Sequence, residues 1–202
     1  MISVESTPYA IRIGGIGGQG NIKMGLILAK ALTYDKRWVV QTQSYGAQVR
    51  GGIAFSDVLF SQEPIDYPKA NHFDIQYMMH QQPLEKFISL LRPNGILICD
   101  RSFVSHLPIT IRRITRKIVS IPVTEIATER FKLSLVANVL GLGLLVKTSK
   151  IVSMESIQRA IEEEVPQKVL DLNLEALQYG YSLVEKTYSL KDEKRRAAAR
   201  FE

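Results

Sequence analysis

The segment Gly14-Gly15-Ile16-Gly17-Gly18-Gln19-Gly20 constrains this chain more than any other. It follows a short apolar strand pattern, Tyr9–Ile13, and opens a helix pattern from Asn21 to Tyr34. Glycines at such a junction permit a tight turn with positive φ and a close approach of backbone to a ligand. The helix start beyond them offers free N–H groups and positive potential to an anion. Gly15, Gly17 and Gly20 fit the spacing of a dinucleotide-binding fingerprint. That fingerprint needs a carboxylate roughly 20 residues on, at the end of the second strand, to hold ribose hydroxyls. Here the second strand ends Val40-Gln41-Thr42-Gln43-Ser44, without a carboxylate. The Lys-Ser/Thr pair of a P-loop is absent too, because Asn21-Ile22 follows Gly20. A free-standing dinucleotide site is therefore disfavoured. Two readings stay open: a bend that lets backbones approach the sheet, and an anion site for part of a ligand shared with a partner.

Strand and helix patterns alternate through the first hundred residues. Trp38–Gln43, Ile53–Phe60, Phe73–Met78, Ile96–Cys99 and Ile118–Ile121 read as further strands. A helix is expected over about Pro83–Leu91, then a turn at Pro93-Asn94-Gly95. Strands separated by helices predict an α/β fold with a Rossmann-like, mostly parallel sheet, helices on both faces and a helical last third. Ile53–Phe60 is expected to break the alternation, because no helix pattern separates it from its neighbours. Ser153–Glu164 reads as a helix with Ser153 as N-cap and Ser156 as the other option. Pro166 then opens a long helix, with Leu170, Leu174, Leu177, Tyr181, Val184 and Tyr188 on one seam. The Leu170–Leu177 part is expected to pack on the chain's own sheet. Residues 1–190 are taken as one domain and 191–202 as a charged tail.

Composition excludes several classes. Cys99 is the single cysteine, so an internal disulfide, a Cys-rich zinc site and the four-thiolate cradle of an iron–sulfur cluster are all excluded on this chain. His72, His80 and His106 have no metal-ligand spacing and read as surface or core residues. The net charge is +6, concentrated in Arg112, Arg113, Arg116 and Lys117 and in the Lys191–Glu202 tail. Both read as solvated basic surface, and no nucleic-acid motif accompanies them. Met1–Pro8 carries no apolar signal core, and Leu133–Val146 is interrupted by Ser134, Asn138, Gly141 and Gly143. A cytoplasmic protein with no membrane contact is expected.

The second distinctive stretch is Gln41-Thr42-Gln43-Ser44-Tyr45-Gly46-Ala47-Gln48-Val49-Arg50-Gly51-Gly52. It leaves the carboxyl end of the second strand, on the sheet edge where open α/β sheets bind ligands. Arg50 offers a bidentate fork to a phosphate or carboxylate, or makes a structural contact. Tyr45 stacks or hydrogen-bonds at an interface, or is half-buried.

Gly-Gly-x-Gly-Gly-Gln-Gly at Gly14–Gly20 and Gln-Ser-Tyr-Gly-x-x-x-Arg-Gly-Gly at Gln43–Gly52 together resemble the gamma subunit of 2-oxoacid:ferredoxin oxidoreductases. Pro64-Ile65-Asp66-Tyr67-Pro68, Leu84–Leu91 and Pro93-Asn94-Gly95-Ile96-Leu97-Ile98-Cys99-Asp100 fit that family too. The resemblance runs from Tyr9 to Tyr188. Asn138-Val139-Leu140-Gly141, Ser153-Met154-Glu155-Ser156-Ile157 and Pro166-Gln167-Lys168-Val169-Leu170-Asp171-Leu172-Asn173 look most like the 2-oxoglutarate member. Members acting on pyruvate, branched-chain 2-oxoacids and indolepyruvate are close competitors. The family often has Gln where Ile16 stands and Pro-Glu-Ala where Ala47-Gln48-Val49 stands.

The resemblance implies a heteromeric enzyme that oxidatively decarboxylates a 2-oxoacid with coenzyme A and passes electrons to ferredoxin. It implies thiamine diphosphate, Mg2+ and [4Fe-4S] clusters on partner subunits, alpha and beta with a delta subunit as an open third. The chain alone is expected to be inactive and to bind no cofactor by itself. Its contribution is carried by Gly15, Gly17, Gly18, Gln19, Gly20, Ser44, Tyr45, Gly46, Arg50, Gly51 and Gly52, which wall the active site or contact coenzyme A. No residue of this chain is expected to be catalytic. A free-standing nucleotide-binding enzyme and a purely structural assembly subunit are the rival readings.

Overall fold

The computed structural model describes residues 8–45 and 51–190. Chain order is β1 (Tyr9–Ile16), α1 (Asn21–Tyr34), β2 (Trp38–Tyr45), β3 (Ile53–Ser61), β4 (Phe73–Met78), α2 (Gln81–Phe87), β5 (Leu91–Asp100), α3 (Ile111–Ile114), β6 (Lys117–Ile121), α4 (Val123–Phe131), α5 (Ala137–Ser149), α6 (Met154–Glu164) and α7 (Leu170–Ser182). The six strands form one sheet in the order β2-β3-β1-β4-β5-β6. β1, β4, β5 and β6 pair in parallel, while β3 runs antiparallel to both its neighbours, β1 and β2. The α/β class with a mostly parallel sheet is thus observed. The segment expected to break the alternation, Ile53–Phe60, is the one reversed strand. It follows β2 without a helix, so it can only return alongside.

The side-chain period of two divides the strands between two apolar cores. Ile11, Ile13, Val58, Ile75, Tyr77, Ile96 and Ile98 face α1, α5, α6 and α7. Met78, Leu97 and Cys99 face α2 and the segment through Val104 and Ile111. α5 is buried along nearly its whole length, which explains why its sequence carries no amphipathic period. No helix among the described residues is long and apolar enough to cross a membrane. α7 crosses α5 at Gly143 and Gly180. A Cβ on Gly143 would overlap the Leu177 carbonyl, and one on Gly180 the Leu140 carbonyl. Only glycines let these two backbones approach so closely.

Three expectations need correction. Pro93-Asn94-Gly95 is not a turn before a strand; it lies inside β5, with Asn94 at φ 60° and a pairing shift against β4 between Phe73 and Ile75. The irregularity is absorbed within the strand, and the preceding helix closes earlier, at Phe87. The long C-terminal helix does not start at Pro166 or reach Tyr188. A single 3₁₀ turn spans Gln167–Val169, and α7 ends at Ser182. Val184 and Tyr188 still pack inward, and the Tyr188 N–H donates to the Thr148 carbonyl at 2.7 Å. Leu170 and Leu177 join the same core as the sheet, but α7 lies on α5 rather than directly on a strand. Ser153 does cap α6, its Oγ accepting from the Ser156 N–H at 3.1 Å. Asp35, at the end of α1, accepts from the Ser153 N–H and Oγ and from Ser156 Oγ. Burial pushes the Asp35 carboxyl up, and those three hydrogen bonds outweigh it and hold it below the usual carboxylate range.

β3 is pinned to β1 by a buried ion pair. Arg12 and Asp57 are direct register partners. The guanidinium donates through Nε and Nη2 to the two carboxylate oxygens, each at 2.7 Å. Phe55, Phe73 and Phe87 surround it, with ring centroids 4.2, 4.2 and 4.5 Å from Cζ. Burial still pushes the Asp57 carboxyl above its ordinary value, against the pull of Arg12. Removing one partner strands the other charge among phenyl rings. We predict that Asp57→Ala lowers stability by about 3–5 kcal/mol, and that the double variant Arg12→Met/Asp57→Leu recovers most of it. Urea denaturation of the three proteins measures both.

Candidate functional site

All five parallel-running strands end, and β3 begins, at one edge of the sheet. The two glycine segments meet there. The Gly17 N–H donates to the Gly52 carbonyl at 3.0 Å, one step beyond the Ile16–Ile53 register pair. Gly15 lies within β1 opposite Ala54. Ser44 and Tyr45 close β2, opposite Phe55 and Ala54. Gly46 and Arg50 lie outside the described residues. Gly18 and Gly51 take φ of 104° and 80°, and no heavy atom would lie within 4 Å of a Cβ at either.

Gln19 has a different part from the rest. Its Oε1 accepts from the Ile16 N–H at 2.8 Å, and its Nε2 donates to the Met79 carbonyl at 3.1 Å. Both ends of the amide hold the loop to the ends of β1 and β4. The Met79 N–H in turn donates to the Gly14 carbonyl at 2.8 Å. Gln19 therefore shapes the loop. Among the predicted glycines that are described, Gly18 and Gly51 are the exposed ones.

α1 starts at Gly20, whose φ of 77° is left-handed and which supplies no side-chain cap. The first turn carries no acidic residue. Its first N–H groups therefore have no helical acceptor, and the dipole leaves positive potential there. Asn21 turns its side chain away, donating through Nδ2 to the Ala54 carbonyl at 2.7 Å. That bond ties the start of α1 to the start of β3.

Two residues at this edge were not expected to matter. His80 lies two residues beyond the end of β4, and its ring stacks on Phe103 at 5.9 Å between centroids. Its Nδ1 accepts from the Gln82 N–H at 3.2 Å, which places the remaining ring proton of the neutral form on Nε2. Burial lowers its pKa below the ordinary imidazole value and so favours the neutral form. Asn138 opens α5 against Gly20: a Cβ on Gly20 would lie 2.6 Å from Asn138 Nδ2. The advance signals for Asn138 were its polarity within an apolar run and its place in the Asn138-Val139-Leu140-Gly141 resemblance, neither of which says what it faces. His80 had none.

His72 and His106 are exposed. Among the described residues, no three His, Cys, Asp or Glu side chains converge as a metal site would need. Cys99 is fully buried, and burial followed by the nearby Asp100 charge pushes its thiol up to about 12. We predict that Cys99 resists alkylation by iodoacetamide in the folded protein and reacts only on unfolding, since the thiolate is the nucleophile. Gly20→Ala should cost at least the ~1–2 kcal/mol of a left-handed residue. It should cost more than Gly18→Ala, because only Gly20 also faces a neighbour. Paired thermal melts order the two.

The model of the pyruvate ferredoxin/flavodoxin oxidoreductase family matches residues 10–183. The chain is 40% identical over 176 residues to the 2-oxoglutarate synthase subunit KorC of Methanocaldococcus jannaschii, covering 87% of this chain and 93% of that one. It is 28% identical to the ketoisovalerate oxidoreductase subunit VorA of Methanothermobacter thermautotrophicus, covering 87% of this chain and 36% of that one. The crystal structure of a keto/oxoacid ferredoxin oxidoreductase gamma subunit from Geobacter sulfurreducens superposes with a TM-score of 0.78 at 32% identity, covering 87% of this chain and 95% of that one. The paired glycine segments therefore sit on a fold shared with a gamma subunit, and the chain belongs to the pyruvate ferredoxin/flavodoxin oxidoreductase family.

Proposed function

We propose that this chain is the gamma subunit of a heteromeric, thiamine-diphosphate-dependent 2-oxoglutarate:ferredoxin oxidoreductase. That enzyme converts 2-oxoglutarate and coenzyme A to succinyl-CoA and carbon dioxide, and reduces ferredoxin. The observation that carries the substrate is the 40% identity to a 2-oxoglutarate synthase subunit over nearly the whole length of both chains. The lower identity to a ketoisovalerate subunit keeps branched-chain 2-oxoacids, pyruvate and indolepyruvate as second readings.

The donor set supports a division of labour with alpha and beta partners. A cluster needs several reactive thiolates. Cys99 is one thiol, buried and held protonated. The clusters and the thiamine diphosphate with its Mg2+ are accordingly assigned to partner subunits. When bound there, thiamine diphosphate supplies the electron sink for decarboxylation. This chain's own contribution is positional. The Gly17–Gly52 bond fixes two glycine segments as one rigid edge. The first N–H groups of α1, which no side chain caps, together with the Arg50 guanidinium, suit the anionic groups of coenzyme A. The same edge, closed on a catalytic subunit, excludes water from the reacting carbons. A subunit that only assembles the complex is the rival reading, and the inward-turned Gln19 amide is the observation in its favour.

Co-purification should bring chains that carry thiamine diphosphate and iron–sulfur clusters, and a panel of 2-oxoacids should show preference for 2-oxoglutarate. Arg50→Ala in the assembled complex should raise the KM for coenzyme A roughly tenfold or more, the worth of a lost charge-assisted hydrogen bond. Unchanged KM and turnover would favour the assembly-only reading.

A further inference from the structure

We propose that His80 is an acid-sensitive latch: its neutral imidazole caps α2 and holds the segment 101–106 to the start of that helix, and protonation of the ring frees the segment.

The donors at the start of α2 can be followed one by one. The Gln81 N–H donates to the Phe103 carbonyl at 3.0 Å. Pro83 has no N–H. The Leu84 N–H donates to the His80 carbonyl at 3.3 Å. Only the Gln82 N–H depends on a side chain, and its acceptor is His80 Nδ1 at 3.2 Å. The segment after β5 is joined to the same turn. Gln81 Oε1 accepts from the Ser105 and His106 N–H groups at 3.1 and 3.4 Å, and Gln81 Nε2 donates to the His106 carbonyl at 3.2 Å. Phe103 in that segment stacks on the His80 ring. Cap, clamp and stack are one unit, and His80 makes two of the three. The unit lies beside the glycine edge, because the Met79 carbonyl, one residue before His80, accepts from Gln19 Nε2 at 3.1 Å.

Ser, Thr, Asn and Asp are the usual N-caps, and they keep an acceptor through the neutral range. An imidazole does not, since acid takes the lone pair that accepts. A protonated Nδ1 faces the Gln82 N–H donor to donor. The new positive charge also meets the positive end of the α2 dipole. Burial disfavours the charged ring as well and lowers its pKa. The stability this cap supplies is therefore present above the ordinary imidazole value and lost as pH falls toward the lower value of the folded state. Once the ring leaves, the segment is held by hydrogen bonds at exposed atoms, which open at low cost. The charged or titratable groups on the packed elements are Glu85 and Lys86 of α2 and Asp100, Arg101 and His106 after β5; the Gly14–Gly20 loop has none. Asp100 accepts from the Ser102 and Thr124 N–H groups, and Lys86 lies over the Phe87 ring. Glu85 accepts from Gln81 Nε2 and lies 3.4 Å from His106 Nε2. Among the described residues, no carboxylate pairs with the His80 ring to hold its charge. Protonation of His106 would tighten its contact with Glu85, so the two histidines act on the segment in opposite directions.

The test is a titration of the isotope-labelled full chain from about pH 8 to about pH 5, with imidazole and amide NMR signals followed together. In the wild type, the Gln82 N–H and the Phe103 signals should move with the midpoint of the His80 ring. Protection of the Gln82 N–H against hydrogen exchange should fall roughly fivefold or more across that midpoint, the worth of a helix cap. His80→Asn keeps an acceptor at the cap and has nothing to titrate, so Gln82 protection should hold over the whole range. His80→Ala should show low protection at both ends of it. His106→Gln removes the opposing contact with Glu85 and should leave the wild-type transition in place. A transition that survives in H80N or vanishes in H106Q overturns the latch. So do Gln82 signals that ignore the His80 midpoint in the wild type. Thermal melts over the same range give a second reading: the loss of melting temperature on acidification should be smaller in H80N than in the wild type, and an equal loss overturns the latch.

Discussion

The architecture depends on the Arg12–Asp57 pair. It joins β1 to a strand of opposite direction, in a layer of phenyl rings where neither charge is tolerable alone. A one-residue slip of β3 would turn Asp57 to the helical face and Val58 toward the rings. The pair therefore fixes register as well as adjacency. From that register follows the Ile16–Ile53 pairing, and from that the Gly17–Gly52 bond. The glycine edge is in this sense built several residues away, in the core.

The helical side fixes the third contributor. α5 is held between the sheet and α7, whose backbone approaches it at Gly143 and Gly180. The apolar contacts of Val139, Leu142 and Leu145 fix its rotation. Asn138, in its first turn, then lies against Gly20. Two helix starts and two glycine segments thus share one edge of the sheet. Cys99 faces the opposite, α2-covered core.

Much of this was legible in the residue pattern, and its failures are physical. The strands were readable because alternating or continuous β-formers between glycine and proline signals have few other solutions. The reversal of Ile53–Phe60 was readable because a strand without a crossover helix has only an antiparallel path. Pro93-Asn94-Gly95 misled because a left-handed asparagine inside a strand carries the same residues as a turn. The α7 boundary misled because Val184 and Tyr188 keep a helical spacing of apolar residues while packing from a segment beyond the end of the helix. Arg12 and Asp57 carried no signal, since two opposite charges in separate strands read as surface until their register is known.

By itself the sequence determined the α/β class, the glycine punctuation at Gly14–Gly20 and Gly51–Gly52, the single thiol, and the family to which those motifs belong. These are local properties, set by backbone freedom, side-chain period and residue type. Only the tertiary structure decided that Gly17 and Gly52 touch, that Gln19 ties its amide to the Met79 carbonyl, and that Asn138 lies against Gly20. Each of those depends on strand order, register or helix rotation. Such quantities come from long-range packing, and no window of sequence contains both partners.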